Sequence, residues 1–393
     1  MHFSKSGTSD VVIFDETNAS LIQSVIPKGL TVSIFKMRPM EFHITPSIIL
    51  RFLKNLRYIK FKNSGVSNRI FFYKIFWQLL CIYIKADISS RNPKAIVTFI
   101  DNCSKFAWLS ENYQLAPCIA IQNGFRLSYD ANSMNKYYCQ HLFCFGEREI
   151  TDFPRMNYKV DHFYPVGSLN LSLNFDNQLT DRNPKYDLLV VSCWRGNIGY
   201  AQDVEDSMKA MRIMDETLAA YLGNRNIKTA VILRSERDSD QWFMPELGLT
   251  EEEYYKSIYG DLIEIIDVNF LQRNIYPVMH SADAIIAGFS TTCLVEAFSI
   301  GKKVLYINFT GTKKYHIDFK PEIVAHISEG DFQSFCLRLD ALIGEPSDKY
   351  AIKHTDLRHY YINSPVAGTT HQLIENEIKN ILVDFEFSPE KYQ

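Results

Sequence analysis

The segment Ala287-Gly-Phe-Ser-Thr-Thr-Cys-Leu-Val-Glu296 holds the residues best suited to chemistry on an anion. Gly288 allows a tight exit from the apolar run Ala284-Ile-Ile-Ala287, and Ser290, Thr291 and Thr292 bring hydroxyls and backbone N–H groups to the start of a helix running to Ile300. A helix N-terminus presents orphan donors and the positive end of the macrodipole, which suits a phosphate. Glu296, one turn further in, is placed to accept hydrogen bonds from a ribose diol. Gly301 stops the helix, and Lys302 and Lys303 complement its negative end. The plain alternative is that Ser290 or Thr291 is only an N-cap.

Three further apolar runs end in polar groups that would meet the same ligand. Val191 is followed by Ser192, Trp194 and Arg195, Leu233 by Arg234, and Ile266 by Asp267. The planar fork of arginine grips diphosphate or carboxylate, so Arg195 and Arg234 are candidate donor-binding residues, with surface or interdomain ion pairs as the alternative. Trp194 either stacks on a base or anchors a core.

In the N-terminal half, the run ending at Ile100 delivers Asp101-Asn102, and Cys118-Ile-Ala-Ile121 delivers Gln122-Asn-Gly-Phe-Arg126. A carboxylate just past a strand is where a general base for an acceptor hydroxyl, or a nucleophile for double displacement, would sit. Asp101 is therefore the first catalytic candidate, and Glu147, after His141-Leu-Phe-Cys-Phe145, is the second. Asp101 capping the helix Ser104 to Glu111 is the competing explanation. Asn102, Gln122, Asn123 and Arg126 suit sugar hydroxyls, and Gly124 lets a ligand approach the backbone. Gly167-Ser168 offers another tight strand exit.

These residues need strands to carry them. Val11–Phe14, Thr31–Phe35, Ala95–Ile100, Cys118–Ile121 and His141–Phe145 are continuous apolar runs of strand length. After the turn-rich stretch Asn170 to Lys185, which reads as a linker, the alternation resumes. Strands are expected at Tyr186–Val191, Thr229–Leu233, Leu262–Ile266, Ala284–Ala287 and Lys303–Ile307, with helices at about 204–222 and 291–300. Apolar strands between helices imply parallel sheets covered on both faces. At 393 residues two domains are expected, over 1–170 and 171–393, with a last helix near 372–383 packing back on the first. Two doubly wound domains place ligands at the carboxyl ends of their strands.

Composition, at 46% hydrophobic and 22% charged, excludes a disordered or fibrous chain. The eight scattered cysteines lack zinc-site spacing and read as reduced thiols, and the N-terminus lacks a secretory signal pattern, so a cytoplasmic protein is expected. Walker, Gly-x-Ser-x-Gly, His-Glu-x-x-His and Gly-x-Gly-x-x-Gly motifs are absent, and Asp238-Ser-Asp240 lacks the strand context of a metal-binding Asp-x-Asp. No metal and no cofactor are expected, the leaving phosphate being neutralised by basic groups and a helix end. Net charge is −3, yet no acid occurs between Glu41 and Asp87, where Arg51, Lys54, Arg57, Lys60, Lys62, Arg69, Lys74 and Lys85 alternate with aromatic residues. Residues 51–85 either touch the inner membrane from its cytoplasmic face or form core-packed helices with solvated basic faces. A nucleic-acid partner is not expected.

Thr98-Phe-Ile-Asp-Asn102, Ile121-Gln-Asn-Gly-Phe-Arg126, Phe143-Cys-Phe-Gly-Glu147 and Phe163-Tyr-Pro-Val-Gly-Ser168 together resemble bacterial surface carbohydrate biosynthesis proteins of capsule and O-antigen loci. The Ser-Thr-Thr-x-x-x-Glu-Ala segment resembles the donor site of GT-B glycosyltransferases, with two Rossmann-like domains facing across a cleft, and is similar in layout to polyglycerol phosphate transferases. The resemblance covers about residues 90–310. Where relatives often carry His after the Gln, this chain has Asn123, which shifts the catalytic expectation to Asp101. It implies metal-independent transfer of a sugar from a nucleotide-sugar to a capsule, O-antigen or lipid-linked glycan acceptor. A retaining transferase using CMP-3-deoxy-octulosonate or a glycerophosphotransferase-like enzyme is the alternative within the fold. A nucleotide-sugar 2-epimerase and a non-catalytic assembly scaffold are alternatives of another class.

Overall fold

The computed structural model describes residues 8–37, 40–59, 68–128, 137–174, 184–194, 201–234, 248–266, 275–288, 291–309, 318–326, 331–363 and 369–387. The chain divides into two compact units. Unit 1 comprises Met1–Asn123, Ser133–Asn170 and Gly368–Gln393, and unit 2 comprises Gly124–Asn132 and Leu171–Ala367.

Unit 1 is built on β1 (Val11–Phe14), β2 (Val32–Phe35), β3 (Ala95–Thr98), β4 (Cys118–Ile121), β5 (Tyr137–Cys144) and β6 (Tyr158–Pro165). They form one parallel sheet in the order β2-β1-β3-β4-β5-β6. β1, β3 and β4 are buried along their whole length, as apolar strands covered on both faces must be. β6 sits at the edge and is half polar, which is why its sequence carries no clear strand signal. The helices of unit 1 are α1 (Ala19–Gln23), α2 (Pro46–Asn55), α3 (Asn68–Arg91), α4 (Ser104–Asn112) and α5 (Glu147–Asp152), and α6 (Leu169–Asn174) runs across the division into unit 2. Because α6 occupies the start of the expected linker, the irregular stretch is shorter than its polar composition suggests; 175–183 lie outside the described residues.

α2 begins at Thr45, whose hydroxyl accepts the Ile48 N–H at 3.2 Å, with Pro46 in the first turn. α3 is 24 residues long and changes character along its length. Its C-terminal part is core: Cys81, Ile82, Ile84, Ala86 and Ile88 are buried, and Asp87 accepts hydrogen bonds from Arg91 Nε at 2.8 Å and Tyr83 at 3.3 Å. His43, leading into α2, reaches the same carboxylate at 3.1 Å. Nearer its start, Phe72, Tyr73 and Phe76 are exposed. Within residues 51–85 the later part of α3 is thus core-packed, while the exposed side chains among the described residues include large apolar groups as well as cations.

Unit 2 carries β7 (Tyr186–Val191), β8 (Thr229–Ile232), β9 (Glu264–Ile266), β10 (Ala282–Ala287), β11 (Lys303–Asn308) and β12 (Val324–His326), parallel throughout, in the order β12-β11-β10-β7-β8-β9. Its helices are α7 (Ala201–Leu222), α8 (Glu251–Tyr259), α9 (Tyr276–His280), α10 (Thr292–Ser299), α11 (Phe332–Gly344), α12 (Ser347–Lys353) and α13 (Thr355–Tyr361). α8 starts with a capping box, Thr250 Oγ1 accepting from Glu253 N at 3.3 Å and Glu253 accepting from Thr250 N at 2.8 Å. Between α7 and α8 the fully buried Asp215 accepts hydrogen bonds from Tyr254 at 2.9 Å and Tyr259 at 2.7 Å.

Gly301 ends α10 at φ 89°, and the Lys302 N–H reaches the Ala297 carbonyl at 3.1 Å. The two lysines that follow do not serve the helix end. Lys302 donates to the carbonyls of His280 and Ala282, and the buried Lys303 donates to those of Ile343 and Glu345 while pairing with Asp283 at 2.6 Å. Both stitch the start of β11 to its neighbours because their long stems reach unpaired carbonyls there.

α14 (Thr369–Phe387) belongs to unit 1. Ile374, Ile378 and Ile381, at helical spacing, complete a core with Val11, Ile13, Val97, Ile119, Phe143 and Leu169.

Candidate functional site

Counted within unit 2, the sheet order runs 3-2-1-4-5-6, the order of dinucleotide-binding sheets, and its direction reverses between β7 and β10. Ligands of open α/β sheets bind beyond the carboxyl ends of the strands at such a reversal. There the chain places Ser192 and Trp194 after β7, and Gly288, Thr291 and Thr292 between β10 and α10. Ser290 and Arg195 lie outside the described residues, as does Asp267.

Gly288 lies close against α7. A Cβ there would stand 2.9 Å from Met214 Sδ on α7, so the strand exit runs directly against that helix. Thr291 is the N-cap of α10 in extended conformation, yet its side chain makes no capping hydrogen bond. Thr292 accepts the backbone N–H of Phe125 at 3.0 Å. That contact belongs to a strap, Gly124 to Ser128, held within unit 2. The Phe125 ring lies 5.2 Å from that of Phe319 and 5.8 Å from that of Tyr361, and Ser128 donates to Asp318 through N–H at 2.7 Å and through its hydroxyl. Gly124 sits so close that a Cβ would be 3.2 Å from Thr292 Oγ1 and 3.4 Å from Arg126 Nη1. The guanidinium of Arg126 therefore stands beside the start of α10.

The remaining strand ends of unit 2 are tied to one another. Trp194 is fully buried against Tyr254, with ring centres 5.3 Å apart, so it is an anchor rather than a free stacking platform. Its carbonyl accepts Arg234 Nη1 at 3.0 Å, and the Arg234 backbone N–H donates to Glu251 at 2.9 Å. Ser192 donates to the same Glu251 carboxylate. Arg234 is exposed and already spends one edge of its fork on protein. Glu296 is 4% exposed and accepts the Tyr276 hydroxyl at 3.2 Å. Burial, reinforced by Glu296, pushes the Cys293 thiol up to about 12.

In unit 1 the sheet direction reverses between β1 and β3. Asp101 follows β3, is 1% exposed, and accepts the Asn123 N–H at 3.1 Å. Asn102 beside it is half-buried. Gln122 is buried and committed: Oε1 accepts Phe145 N–H at 2.9 Å and Nε2 donates to Glu149 at 3.3 Å. Glu149 also accepts from Gly146 N–H at 3.0 Å and pairs with the buried Arg148 at 3.3 Å, while burial raises its carboxyl. Glu147 stands in the first turn of α5, exposed, where the helix dipole favours a carboxylate.

Sequence reasoning missed Asp15. It follows β1 at the same reversal as Asp101, is 1% exposed, adopts φ 81°, and accepts from Thr17 N–H at 2.9 Å and Thr17 Oγ1 at 2.7 Å. A non-glycine residue in that region costs of order 1–3 kcal/mol, which the surrounding bonds offset. The usable signal was an Asp directly after an apolar strand. Asp15, Asp101, Gln122 and Asn123 belong to unit 1, whereas Gly124 and Arg126, expected on the same acceptor side, belong to unit 2. The reason is the Phe125 and Ser128 anchorage, which no local pattern announces.

No family model matches the chain, and no curated protein matches it by sequence. Solved structures do match in fold. The wall teichoic acid polymerase TagF superposes with a TM-score of 0.50 at 11% identity, over 95% of this chain and 89% of that one. A UGT transferase from Siraitia grosvenorii in complex with UDP also gives 0.50 at 11% identity, over 95% of this chain and 99% of that one. At such identity the likeness is one of fold, and one fold hosts many reactions. Two parallel-sheet, Rossmann-like α/β units make this the GT-B type of fold.

Proposed function

We propose that the chain is a glycosyltransferase that takes a nucleotide-sugar donor at the carboxyl ends of β7 and β10. The observation that carries this reading is the α10 N-terminus at the reversal of the unit 2 sheet, with the Thr291 side chain not spent on capping and the Arg126 guanidinium alongside. Backbone N–H groups and the helix dipole at that end, with the Arg126 guanidinium on the adjoining strap, would stabilise the charge that develops on a departing nucleoside phosphate. No metal or cofactor is assigned a role. Arg126 moves from the acceptor side to the donor side in this proposal, joined by Ser290, Thr291, Arg195 and Arg234. Thr292 positions the strap, and Glu296, fixed by Tyr276, is the diol acceptor at the site's inner edge. Asp101 supplies the carboxylate that activates an acceptor hydroxyl or attacks the donor, with Glu147 as the second acid. The acceptor is proposed to be a surface polysaccharide, of the capsule, O-antigen or lipid-linked class, elongated on the cytoplasmic side.

The test is incubation of the purified protein with UDP-, GDP-, dTDP- and CMP-sugars, measuring nucleotide release and sugar identity with and without glycan acceptors. Acceptor-dependent release that is lost in Asp101→Asn and Glu296→Ala supports the assignment. Turnover surviving both substitutions sinks it, and an isomerised sugar released without acceptor replaces transfer by 2-epimerisation. Binding without any turnover identifies a scaffold. Ligand at about 100 times its dissociation constant adds roughly 2.7 kcal/mol to stability, so a flat thermal response to every nucleotide removes the donor site itself.

A further inference from the structure

Of the sixteen large apolar side chains that are exposed among the described residues, seven lie between Phe42 and Phe76. Six of the seven lie on two helices that pack on each other. α2 buries only Ile48 of its ten residues and leaves Ile49, Leu50 and Leu53 in solvent, Leu50 at 71% exposure. The N-terminal part of α3 leaves Phe72, Tyr73 and Phe76 at 69%, 68% and 65%. A spacing of four residues puts Ile49 with Leu53 and Phe72 with Phe76 on common helix faces.

The charge along these helices, from Phe42 to Ala86, has one sign. Lys54, Arg57 and Lys74 are exposed and Arg51 is half-buried among them, while no Asp or Glu occurs from Phe42 to Ala86. Charges of both signs normally alternate on a solvated helix pair. A face that offers water aromatic rings and leucines inside a field of cations is complementary to a surface that is apolar within and anionic outside. Lipid headgroups over acyl chains have that layering: aromatic rings settle at the headgroup level, and long basic stems reach back to phosphate. Among the described residues no helix is long and apolar enough to cross a membrane, so contact is along the surface.

We infer that the α2–α3 face of unit 1 docks on an anionic lipid bilayer, with Leu50, Leu53, Phe72, Tyr73 and Phe76 entering the headgroup region and Arg51, Lys54, Arg57 and Lys74 pairing with lipid phosphates. This goes beyond the transfer reaction and does not depend on it.

Co-sedimentation of the full chain with vesicles of phosphatidylcholine, alone or with phosphatidylglycerol added, tests it. Binding is expected only with the anionic lipid and weakens as salt rises. Phe72→Ser with Phe76→Ser lowers vesicle partitioning by about tenfold or more, from lost apolar insertion. Arg51→Gln, Lys54→Gln and Lys74→Gln together lower it by about a hundredfold. Neither set shifts the melting temperature appreciably, because the residues carry little of the core. Failure of the wild type to bind anionic vesicles at low salt overturns the inference. So does a wild-type dimer that Leu50→Ser with Phe72→Ser converts to monomer, which would assign the face to a second copy.

Discussion

The two sheets reverse direction at equivalent places and put opposite chemistry there. In unit 1 the reversal between β1 and β3 is occupied by carboxylates, Asp15 and Asp101, each buried and each receiving backbone N–H groups. In unit 2 the reversal between β7 and β10 presents a helix N-terminus, threonine hydroxyls and the Arg126 guanidinium, and its acids are turned inward to neutral hydroxyls: Glu251 to Ser192, Glu296 to Tyr276, Asp215 to Tyr254 and Tyr259. Buried acids elsewhere in unit 1 meet cations instead, Asp87 with Arg91 and Glu149 with Arg148. One fold thus carries carboxylates at one reversal and a helix N-terminus with a guanidinium at the other by changing a few residues after the strands.

The sharpest way to break this contrast is Asp101→Asn. If unit 1 supplies the acid–base or nucleophilic step and unit 2 the binding, nucleotide release falls by about 10²–10⁴ while thermal stabilisation by nucleotide stays at the wild-type level. Equal loss of both would show that the carboxylate maintains the fold through Asn123 rather than the chemistry.

Next in size is the pH response of unit 2. Burial raises the Asp215 carboxyl from its ordinary 3.8 to about 7, the two tyrosine hydroxyls only partly opposing the rise. The folded chain keeps that proton up to about pH 7 while the unfolded chain releases it near 4, so between those values the folded state holds more protons and stability falls as pH rises, levelling off above the folded value. The fall attributable to this group is up to about 4 kcal/mol. Denaturant midpoints from pH 4 to 8 should slope downward in the wild type and flatten in Asp215→Asn. An unchanged slope in the variant would place the titrating group elsewhere.

The smallest effect sharpens the donor end. Thr292→Val removes the acceptor of the buried Phe125 N–H and should cost about 1–3 kcal/mol in urea unfolding. It should also weaken nucleotide binding, because Arg126 rides on the same strap. Stability lost with affinity intact would separate the strap from the site.

The strands were legible because runs such as Val11–Phe14, Cys118–Ile121 and Tyr186–Val191 are continuous, β-branched or apolar, and buried on both faces, so composition and location coincide. Gly301 was legible as a helix stop for a local steric reason. The strap was not, since the Ser128 to Asp318 bonds span 190 residues and a motif read as one unit, Gln122 to Arg126, divides between two. Lys302 and Lys303 misled because a cation after a helix fits the dipole, and only tertiary geometry reveals closer carbonyls. The exposure of Phe72 and Phe76 is legible only as one of two alternatives, because aromatic content says nothing about what covers a ring. Trp194 suits a core anchor or a base platform by residue type, and its burial against Tyr254 decides for the core.

The isoleucines of α14 bear on how the chain can be made. Unit 1 encloses Val11, Val97 and Ile119 only with Ile374, Ile378 and Ile381 in place. Those residues leave the ribosome roughly 200 positions after Asn170, a delay on the order of 10–40 s at usual synthesis rates. During that interval the first sheet is unsealed while the intervening unit is being translated. Folding of unit 1 therefore cannot finish before unit 2 has been translated, and a fragment ending near Asn170 should expose apolar surface and aggregate.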